Sequence, residues 1–384
     1  MSTGKRYVNR RELLRRGALG GLGLASLGPL ASTMDISDAF ASGVGASGGG
    51  MAALVAAAKK EGRLNTIALP RDWANYGEIM DTFQSKYGLT LSDTNPDGSS
   101  AVELQSLVTL KGQSRAPDAV DVSPPFATKG VTQGLYTPYK VATWETIPAN
   151  MKDSAGYWAG DYWGVQSFLS VTSVVKEAPR DWSDLTSSKL KGMVAIDGDP
   201  RLAGDAFAAV MAASLANGGS LDNIEPGITF FARLKKLGNF NPTDAYPANI
   251  AKGATPIAIK WDYLNLATRD TLKGNPAVTV TIPKSGVYGG FYCQAVSKSA
   301  PNPNAAKLWM EYLYSDEGQL LFLKGYTHPA RYQDLVNSHK VPDALAKRLP
   351  PAASYKNVTF ASQKQIAAAS KVLQEQWGPK VSGS

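Results

Sequence analysis

Residues 64–91, LNTIALPRDWANYGEIMDTFQSKYGLTL, carry the alternation that fixes the fold class. Residues 64–69 form an apolar run of strand length, and residues 70–76 form a polar and aromatic loop. Ile79 and Phe83 then share one face of a helix that Gly88 ends, and a second strand begins at residue 89. The order strand, helix, strand is typical of a parallel sheet with helical crossovers.

The same alternation continues after residue 91. Ser100 and Glu103 have the capping-box spacing and open a second helix. Residues 119–123 form a third strand, and Pro124 begins a new helix. Ligands of such sheets lie beyond the carboxyl ends of the strands, so the loops after residues 69 and 122 are expected to hold one.

The length of 384 residues exceeds what one core usually holds, so we predict an α/β protein with two lobes, mixed sheets flanked by helices, and a cleft between the lobes. The aromatic segment 162–171 leaves the first lobe, and strands at 193–196 and 256–259 belong to the second. Strands at 278–282 and 289–296 are expected to return to the first lobe. The predicted parts are an export signal at 1–41, a flexible linker at 42–50, a first lobe at 51–165 with 285–325 returning, a second lobe at 166–284, and a C-terminal helical segment at 326–384.

The composition excludes several classes of function. Mean hydropathy is −0.18, and no apolar run is long enough to span a membrane. The formal charge of +8 falls to +5 without the six basic and three acidic residues of positions 1–41, and the remaining basic residues form no stripe of the kind that binds nucleic acid. Cys293 is the single cysteine, so no intrachain disulfide is available.

The N-terminus resembles an export signal. Arg10 and Arg11 are followed by two leucines and a base, then by the weakly apolar, Gly-rich residues 17–31, in the manner of the twin-arginine motif. Ala39-Phe40-Ala41 is a small-x-small cleavage site. The general export route stays open as an alternative. No cysteine lies near the cleavage site, so we expect a periplasmic or secreted protein without a lipid anchor.

From Asp181 onward, the order of motifs resembles family 1 extracellular solute-binding proteins, which have the type 2 periplasmic-binding fold. The motifs are DWSDL at 181–185, KGMVAI at 191–196, IAKG at 250–253, IAIKWDY at 257–263 and APNPNAA at 300–306, followed by WMEYLYSDEGQ at 309–319. The opening LVAAAKKEG at 54–62 also resembles this family. The resemblance implies a monomer that delivers a small solute to the membrane permease of an ABC-type importer.

Within the family, the resemblance favours a polyamine-like ligand. Trp261 and Asp262 stand where the polyamine branch has a Trp and an Asp after a strand, although Tyr292 replaces that branch's later Asp. A cation over an aromatic ring and beside a carboxylate is a suitable amine site. The chain has no Tyr-Tyr pair, which disfavours iron(III). The alternative ligands are iron(III), an aminophosphonate or another small anion. The alternative function is that of a secreted hydrolase.

The candidate ligand-binding residues lie at strand ends and at the predicted lobe crossing. Each also has a plain structural alternative, such as loop packing, helix capping, a hinge hydrogen bond or a place in the core. No catalytic residue, metal ligand or cofactor is predicted, because the usual motifs for nucleophilic, zinc, phosphate and dithiol chemistry are missing from the sequence. The candidates are Trp73, Asn75, Tyr76, Ser123, Gln166, Ser167, Trp261, Asp262, Tyr263 and Tyr292.

Overall fold

A computed structural model describes residues 48–383. The first helix of the described residues begins at Gly48, inside the segment predicted to be a linker, while residues 42–47 and the predicted export signal lie outside the described residues. The N-terminal elements are α1 (Gly48–Glu61), β1 (Arg63–Ile67), α2 (Tyr76–Tyr87), β2 (Thr90–Thr94), α3 (Ser100–Thr109), β3 (Ala119–Val122), α4 (Pro124–Thr132) and β4 (Tyr136–Thr137).

The rest of the chain continues this alternation and then becomes mainly helical. The middle elements are β5 (Ala159–Val171), β6 (Val194–Ile196), α5 (Gly204–Ala216), α6 (Glu225–Leu237), α7 (Pro247–Ala251), β7 (Ile257–Trp261), α8 (Asp262–Leu272) and β8 (Val278–Thr281). The last elements are β9 (Tyr288–Ser297), α9 (Pro303–Leu313), α10 (Asp316–Lys324), β10 (His328–Pro329), α11 (Tyr332–Asn337), α12 (Asp343–Ala346), β11 (Thr359–Phe360) and α13 (Gln363–Trp377). Short 3-10 helices lie at Trp144–Thr146, Ala149–Met151, Trp182–Thr186, Ser188–Leu190 and Ala352–Tyr355.

The long strand β5 connects the two lobes. Up to Val165 it pairs antiparallel with β9, and from Gln166 onward it pairs with β7 and β8. Strand β6 extends the second group by pairing parallel with β7. We call the β1–β4 and β9 side the first lobe and the β6–β8 side the second lobe. The predicted lobe boundaries remain a prediction. The change of strand partners between Val165 and Gln166 supports the predicted boundary at this point.

Two strand pairings differ from the sequence-based expectation. Strands β1 and β2 are parallel, as the crossovers predict, but β3 pairs antiparallel with β9, which is distant in sequence. Strand β8, expected to return to the first lobe, instead pairs with the second half of β5. The crossover pattern specifies only local connections, and it contains no information about the partner of an edge strand.

The predicted capping box at the start of α3 is wrong. The N-cap residue is Ser99, whose side chain makes no capping hydrogen bond. The Ser100 hydroxyl instead accepts the backbone N–H of Ser123 at 2.9 Å, and Glu103 Oε2 accepts the N–H of Asp121 at 3.0 Å. Both side chains therefore fasten α3 to β3 and fix the position of the strand end.

Helix α13 contacts both lobes. On the first lobe, the Thr128 hydroxyl in α4 donates to Gln363 Oε1 at 3.0 Å. On the second lobe, the Trp377 ring lies 5.6 Å from the ring of Phe231 in α6. None of the described helices has the length and apolar content needed to cross a membrane.

Candidate functional site

A cavity of about 610 Å³ lies between the two lobes. The first lobe contributes the loops after β1 and β2, the start of α3 and the end of β3. The second lobe contributes the loop after β6, the start of α5 and one side of α8. Side chains that line it include Asp72, Trp73, Asp97, Glu103, Asp121, Asp197, Asp205, Tyr246, Lys260, Thr268 and Tyr292.

The cleft is rich in acidic residues. Its lining contains six carboxyl groups, and Lys260 is the one basic residue that lines it in the described part of the chain. Lys260 is itself buried and paired, since its Nζ lies 2.7 Å from Asp197 Oδ2. The lysine therefore neutralises part of the acidic charge and presents no free cation to a ligand.

Three carboxyl groups of the cleft are buried and incompletely paired. Asp121, Asp197 and Asp205 are 6%, 8% and 2% exposed, respectively. One oxygen of each, Asp121 Oδ1, Asp197 Oδ1 and Asp205 Oδ2, has no hydrogen-bond partner within residues 48–383. A buried carboxylate oxygen without a donor is unfavourable by about 1–3 kcal/mol or more, so these oxygens favour a ligand that brings N–H donors.

Asp121 belongs to a hydrogen-bonded network in the first lobe. The Tyr76 hydroxyl donates to Asp121 Oδ2 at 2.7 Å and also lies 2.9 Å from Asp161 Oδ2. Gln294 Nε2 donates to the Tyr76 hydroxyl at 2.8 Å. The network orients one Asp121 oxygen and leaves the other without a partner.

Asp205 is held in a similar way in the second lobe. Its Oδ1 accepts Gln166 Nε2 at 2.7 Å and the backbone N–H of Trp261 at 3.0 Å. The amide of Gln166, at the point where β5 changes partners, therefore connects the hinge strand to the start of α5. Gln166, which was predicted to lie at the lobe crossing, therefore holds the side chain of Asp205 in place.

The pKa values of three carboxyl groups in the cleft lie above the usual range for carboxyl groups. Burial raises the pKa of Asp121 to about 7. Burial, followed by repulsion from Asp197, raises the pKa of Asp205 to about 8. Burial and the nearby Asp121 also raise the pKa of Glu103 well above its ordinary value. A cation in the cleft would reverse these shifts, because an adjacent positive charge stabilises the ionised carboxylate.

Two helix N-termini at the cleft each carry an acidic residue. Glu103 lies in the first turn of α3, and Asp205 lies in the first turn of α5. An N-terminus attracts anions through its free N–H groups and its dipole, but an anion bound at either of these helix starts would lie beside a carboxyl group. The cleft therefore offers little to an anionic ligand at these two helix starts.

The aromatic side chains of Trp73 and Tyr292 line the cleft, and Tyr263 packs against Trp73 outside the lining. The Trp73 ring lies 5.5 Å from the Tyr292 ring and 6.1 Å from the Tyr263 ring, edge to face in both pairs. Trp73 Nε1 donates to the Tyr162 hydroxyl at 2.7 Å, which fixes the indole. Ring faces beside carboxylates attract cations, so this wall suits an alkylammonium group.

The predicted candidates fall into four groups. Trp73 and Tyr292 line the cleft, and Tyr76 and Gln166 lie behind it and hold its carboxyl groups. The structure brings the others elsewhere: Ser123 and Trp261 line a smaller neighbouring cavity, while Asn75, Ser167, Asp262 and Tyr263 line neither cavity.

Asp262 has protein partners for both of its oxygens. Oδ1 accepts the backbone N–H of Val165 at 3.0 Å, and Oδ2 accepts the Tyr355 hydroxyl at 2.6 Å. Its side chain is fully buried beneath β5. Asn75 donates to Glu78 and to the carbonyl of Leu321, so it fastens the start of α2.

The candidates predicted from the sequence include none of the six acids that line the cleft. The predicted candidates also lack Lys260, the basic residue that lines the cleft beside Glu103, Asp121, Asp197 and Asp205. Asp121 could have been found, because it is a charged residue in the middle of the apolar strand β3. Asp197 directly follows the buried strand β6, where ligand-binding residues are common. Among residues 48–383, no cluster of three or more His, Cys, Asp or Glu side chains could hold a metal ion.

Comparison with known proteins gives a family match over more than half of the chain. A model of bacterial extracellular solute-binding proteins matches residues 115–364. A curated relative from Haemophilus influenzae (strain ATCC 51907 / DSM 11121 / KW20 / Rd), an uncharacterized protein, is 29% identical over 204 residues. That match covers 50% of this chain and 56% of the relative, so the chain spans little more than half of the relative's length.

Solved structures share the fold at low sequence identity. The periplasmic binding protein AfuA from Actinobacillus pleuropneumoniae, with fructose-6-phosphate bound, has a TM-score of 0.68 and 19% identity, and the match covers 84% of this chain and 99% of that one. Iron-bound HitA from Pseudomonas aeruginosa has a TM-score of 0.62 and 17% identity, covering 82% and 99%. A Listeria monocytogenes protein described as a spermidine/putrescine ABC transporter has a TM-score of 0.59 and 16% identity, covering 82% and 98%. These similarities show a two-lobed binding fold, and the bound molecules differ widely.

Proposed function

Because the chain belongs to the bacterial extracellular solute-binding proteins, we propose that it captures a linear polyamine between its lobes and delivers it to the permease of an ABC-type importer. The ligand class is a di- or triamine such as putrescine or spermidine. The protein acts as a monomeric receptor and performs no chemistry on its ligand. Its place of action is the periplasm or the extracellular space.

The observation that carries this proposal is the set of incompletely paired acids. Asp121 comes from the first lobe, and Asp197 and Asp205 come from the second. Ammonium groups supply several N–H donors each and a positive charge, which the three free oxygens require. A chain with an ammonium group at each end can contact acids of both lobes, and this contact favours the closed arrangement.

The same features disfavour the anionic ligands. A phosphate or phosphonate group needs free cations or uncompensated helix starts, whereas Lys260 is paired with Asp197 and both helix starts carry an acid. Iron(III) prefers phenolate ligands. Burial raises the pKa of Tyr263 and of Tyr292 well above the usual phenol value, which opposes the phenolate form.

The test is a thermal-shift comparison at pH 8 of the wild type and Asp205→Asn. Asparagine keeps an oxygen for Gln166 and the Trp261 N–H but removes the charge. We expect spermidine to raise the Tm of the wild type, and we expect the variant to bind at least tenfold more weakly, because loss of one member of a buried charge pair costs about 2–5 kcal/mol.

Asp343→Asn is the matched control, since Asp343 is exposed on α12 and does not line the cleft. It should bind like the wild type. Equal spermidine shifts in the wild type and Asp205→Asn would contradict the proposal, as would conversion of spermidine into a product during incubation.

Export is part of the same proposal. Replacement of Arg10 and Arg11 by lysine should stop export if the twin-arginine route is used. Cell fractionation measures this, and normal export of the variant would assign the protein to the general route.

A further inference from the structure

A second cavity, of about 170 Å³, lies next to the cleft and shares part of its wall. Ala203, Gly204 and Tyr292 line both spaces. The shared wall is closely packed, because a Cβ atom on Gly204 would lie 2.8 Å from Ser123 Cβ and 3.0 Å from the Tyr292 hydroxyl. This packed contact therefore separates the second cavity from the cleft.

The chemistry of the second cavity is opposite to that of the cleft. Six aromatic side chains line it, Phe126, Phe207, Trp261, Tyr288, Phe291 and Tyr292, and no acidic residue does so within residues 48–383. The basic residues at its edge have other contacts: Arg201 is paired with Asp199 at 2.6 Å, and Lys129 is exposed, with its Nζ 5.9 Å from the Phe126 ring centroid. An uncharged, apolar molecule suits this lining.

The size of the cavity matches one aromatic ring. An apolar cavity of about 150 Å³ holds benzene in another protein, so about 170 Å³ admits a monocyclic arene. Aromatic walls favour an aromatic guest over an aliphatic one of equal volume, because edge-to-face ring pairs add about 0.5–1.5 kcal/mol each.

The walls come from parts of the molecule that belong to different lobes. Phe126 belongs to α4 in the first lobe, Phe207 to α5 in the second, and Ile366 to α13, which contacts both. A molecule that contacts all three walls binds the present arrangement of the lobes better than a more open one. Such a molecule and the cleft ligand then favour the same arrangement, and each must increase the affinity of the other.

We infer that this cavity is a second binding site for a small, uncharged aromatic molecule, and that its occupancy is positively coupled to occupancy of the cleft. The first part is independent of the polyamine proposal. The coupling rests on the proposed function, because it needs a cleft ligand.

The experiment is a titration of the protein with fluorobenzene, followed by ¹⁹F NMR without any amine present. The wild type should broaden and shift the fluorobenzene signal saturably. Ser370→Phe places a ring from α13 into the cavity and should weaken binding at least tenfold. Ala367→Phe, on the exposed face of the same helix, is the matched control and should bind like the wild type. Absence of saturable binding, or equal binding by Ser370→Phe, would overturn the site.

Leu202→Asp provides a second variant that does not disturb the core, because Leu202 lines the cavity and is 50% exposed. It should also weaken fluorobenzene binding severalfold, and unchanged binding would count against the site.

Repeating the wild-type titration with saturating putrescine tests the coupling. We expect at least a threefold gain in affinity for fluorobenzene, and an unchanged affinity overturns the coupling. Failure of putrescine to bind is detected separately, by its own thermal shift, and leaves the amine-free titration valid.

Discussion

At the scale of single residues, the cleft contains acids that destabilise the empty protein. Asp121 and Asp205 are buried, and within residues 48–383 neither forms an ion pair and each leaves one oxygen without a hydrogen-bond partner. Such groups are retained at functional sites at a cost in stability. The sequence could indicate Trp73 from its position after a strand, and Tyr292 from the family resemblance. It could not indicate that Asp121 and Asp205 converge, since they lie 84 positions apart and on different lobes.

Asp262 provides a residue-scale prediction that separates structure from binding. Both of its oxygens accept hydrogen bonds from the protein, and the side chain does not line the cleft. We expect Asp262→Asn to change the affinity for spermidine less than threefold and to lower the free energy of unfolding by about 1–2 kcal/mol. Calorimetric titration and urea unfolding measure the two effects. A tenfold loss of affinity without a loss of stability would return Asp262 to the ligand site.

At the scale of elements, the positions of most helices and strands follow from the sequence, but their partners do not. Apolar periodicity and Gly88, a left-handed residue with φ of 67°, mark α2 and its end. The antiparallel pairing of β3 with β9 joins segments more than 150 residues apart, and no local pattern encodes it. The spacing of Ser100 and Glu103 likewise fits a helix cap, but their partners are backbone N–H groups in β3 and directly after it.

Helix α3 provides an element-scale prediction. Ser100→Ala removes the acceptor of the buried Ser123 N–H, so we expect a loss of about 1–3 kcal/mol in the free energy of unfolding. Ser99→Ala is the control, since the Ser99 side chain makes no capping bond, and it should change stability by less than about 0.5 kcal/mol. Urea denaturation measures both. Equal losses in the two variants would mean that Ser100 does not fasten α3 to β3.

At the scale of the whole molecule, the raised carboxyl pKa values make stability depend on pH. Asp121 and Asp205 have pKa values of about 7 and 8 in the folded state, while unfolded carboxyls ionise near 4. Above pH 6.5 the folded state therefore binds more protons than the unfolded state, and stability falls as pH rises. His328 acts in the opposite direction, because burial lowers its pKa to about 4, but the unfolded imidazole loses its proton near pH 6.5, so this effect is nearly complete by about pH 7.5.

We therefore expect the ligand-free protein to lose stability between pH 6.5 and 8.5, by about 1.4 kcal/mol per pH unit for each proton that the folded state retains. Urea unfolding at pH 6.5, 7.5 and 8.5 measures this. Saturating spermidine should reduce the loss, because a bound cation lowers the carboxyl pKa values. A ligand-free protein that becomes more stable across this range would not have the protonated acids described here.

The central claim is that the cleft recognises positive charge on a short chain, and calorimetric titration at pH 8 with putrescine and with 1,4-butanediol tests it most directly. The two molecules share a four-carbon chain and differ in their terminal groups. The acids of the cleft predict saturable one-to-one binding of putrescine, weaker at pH 6, and no detectable binding of the diol. Absence of putrescine binding together with one-to-one binding of fructose-6-phosphate would contradict the claim.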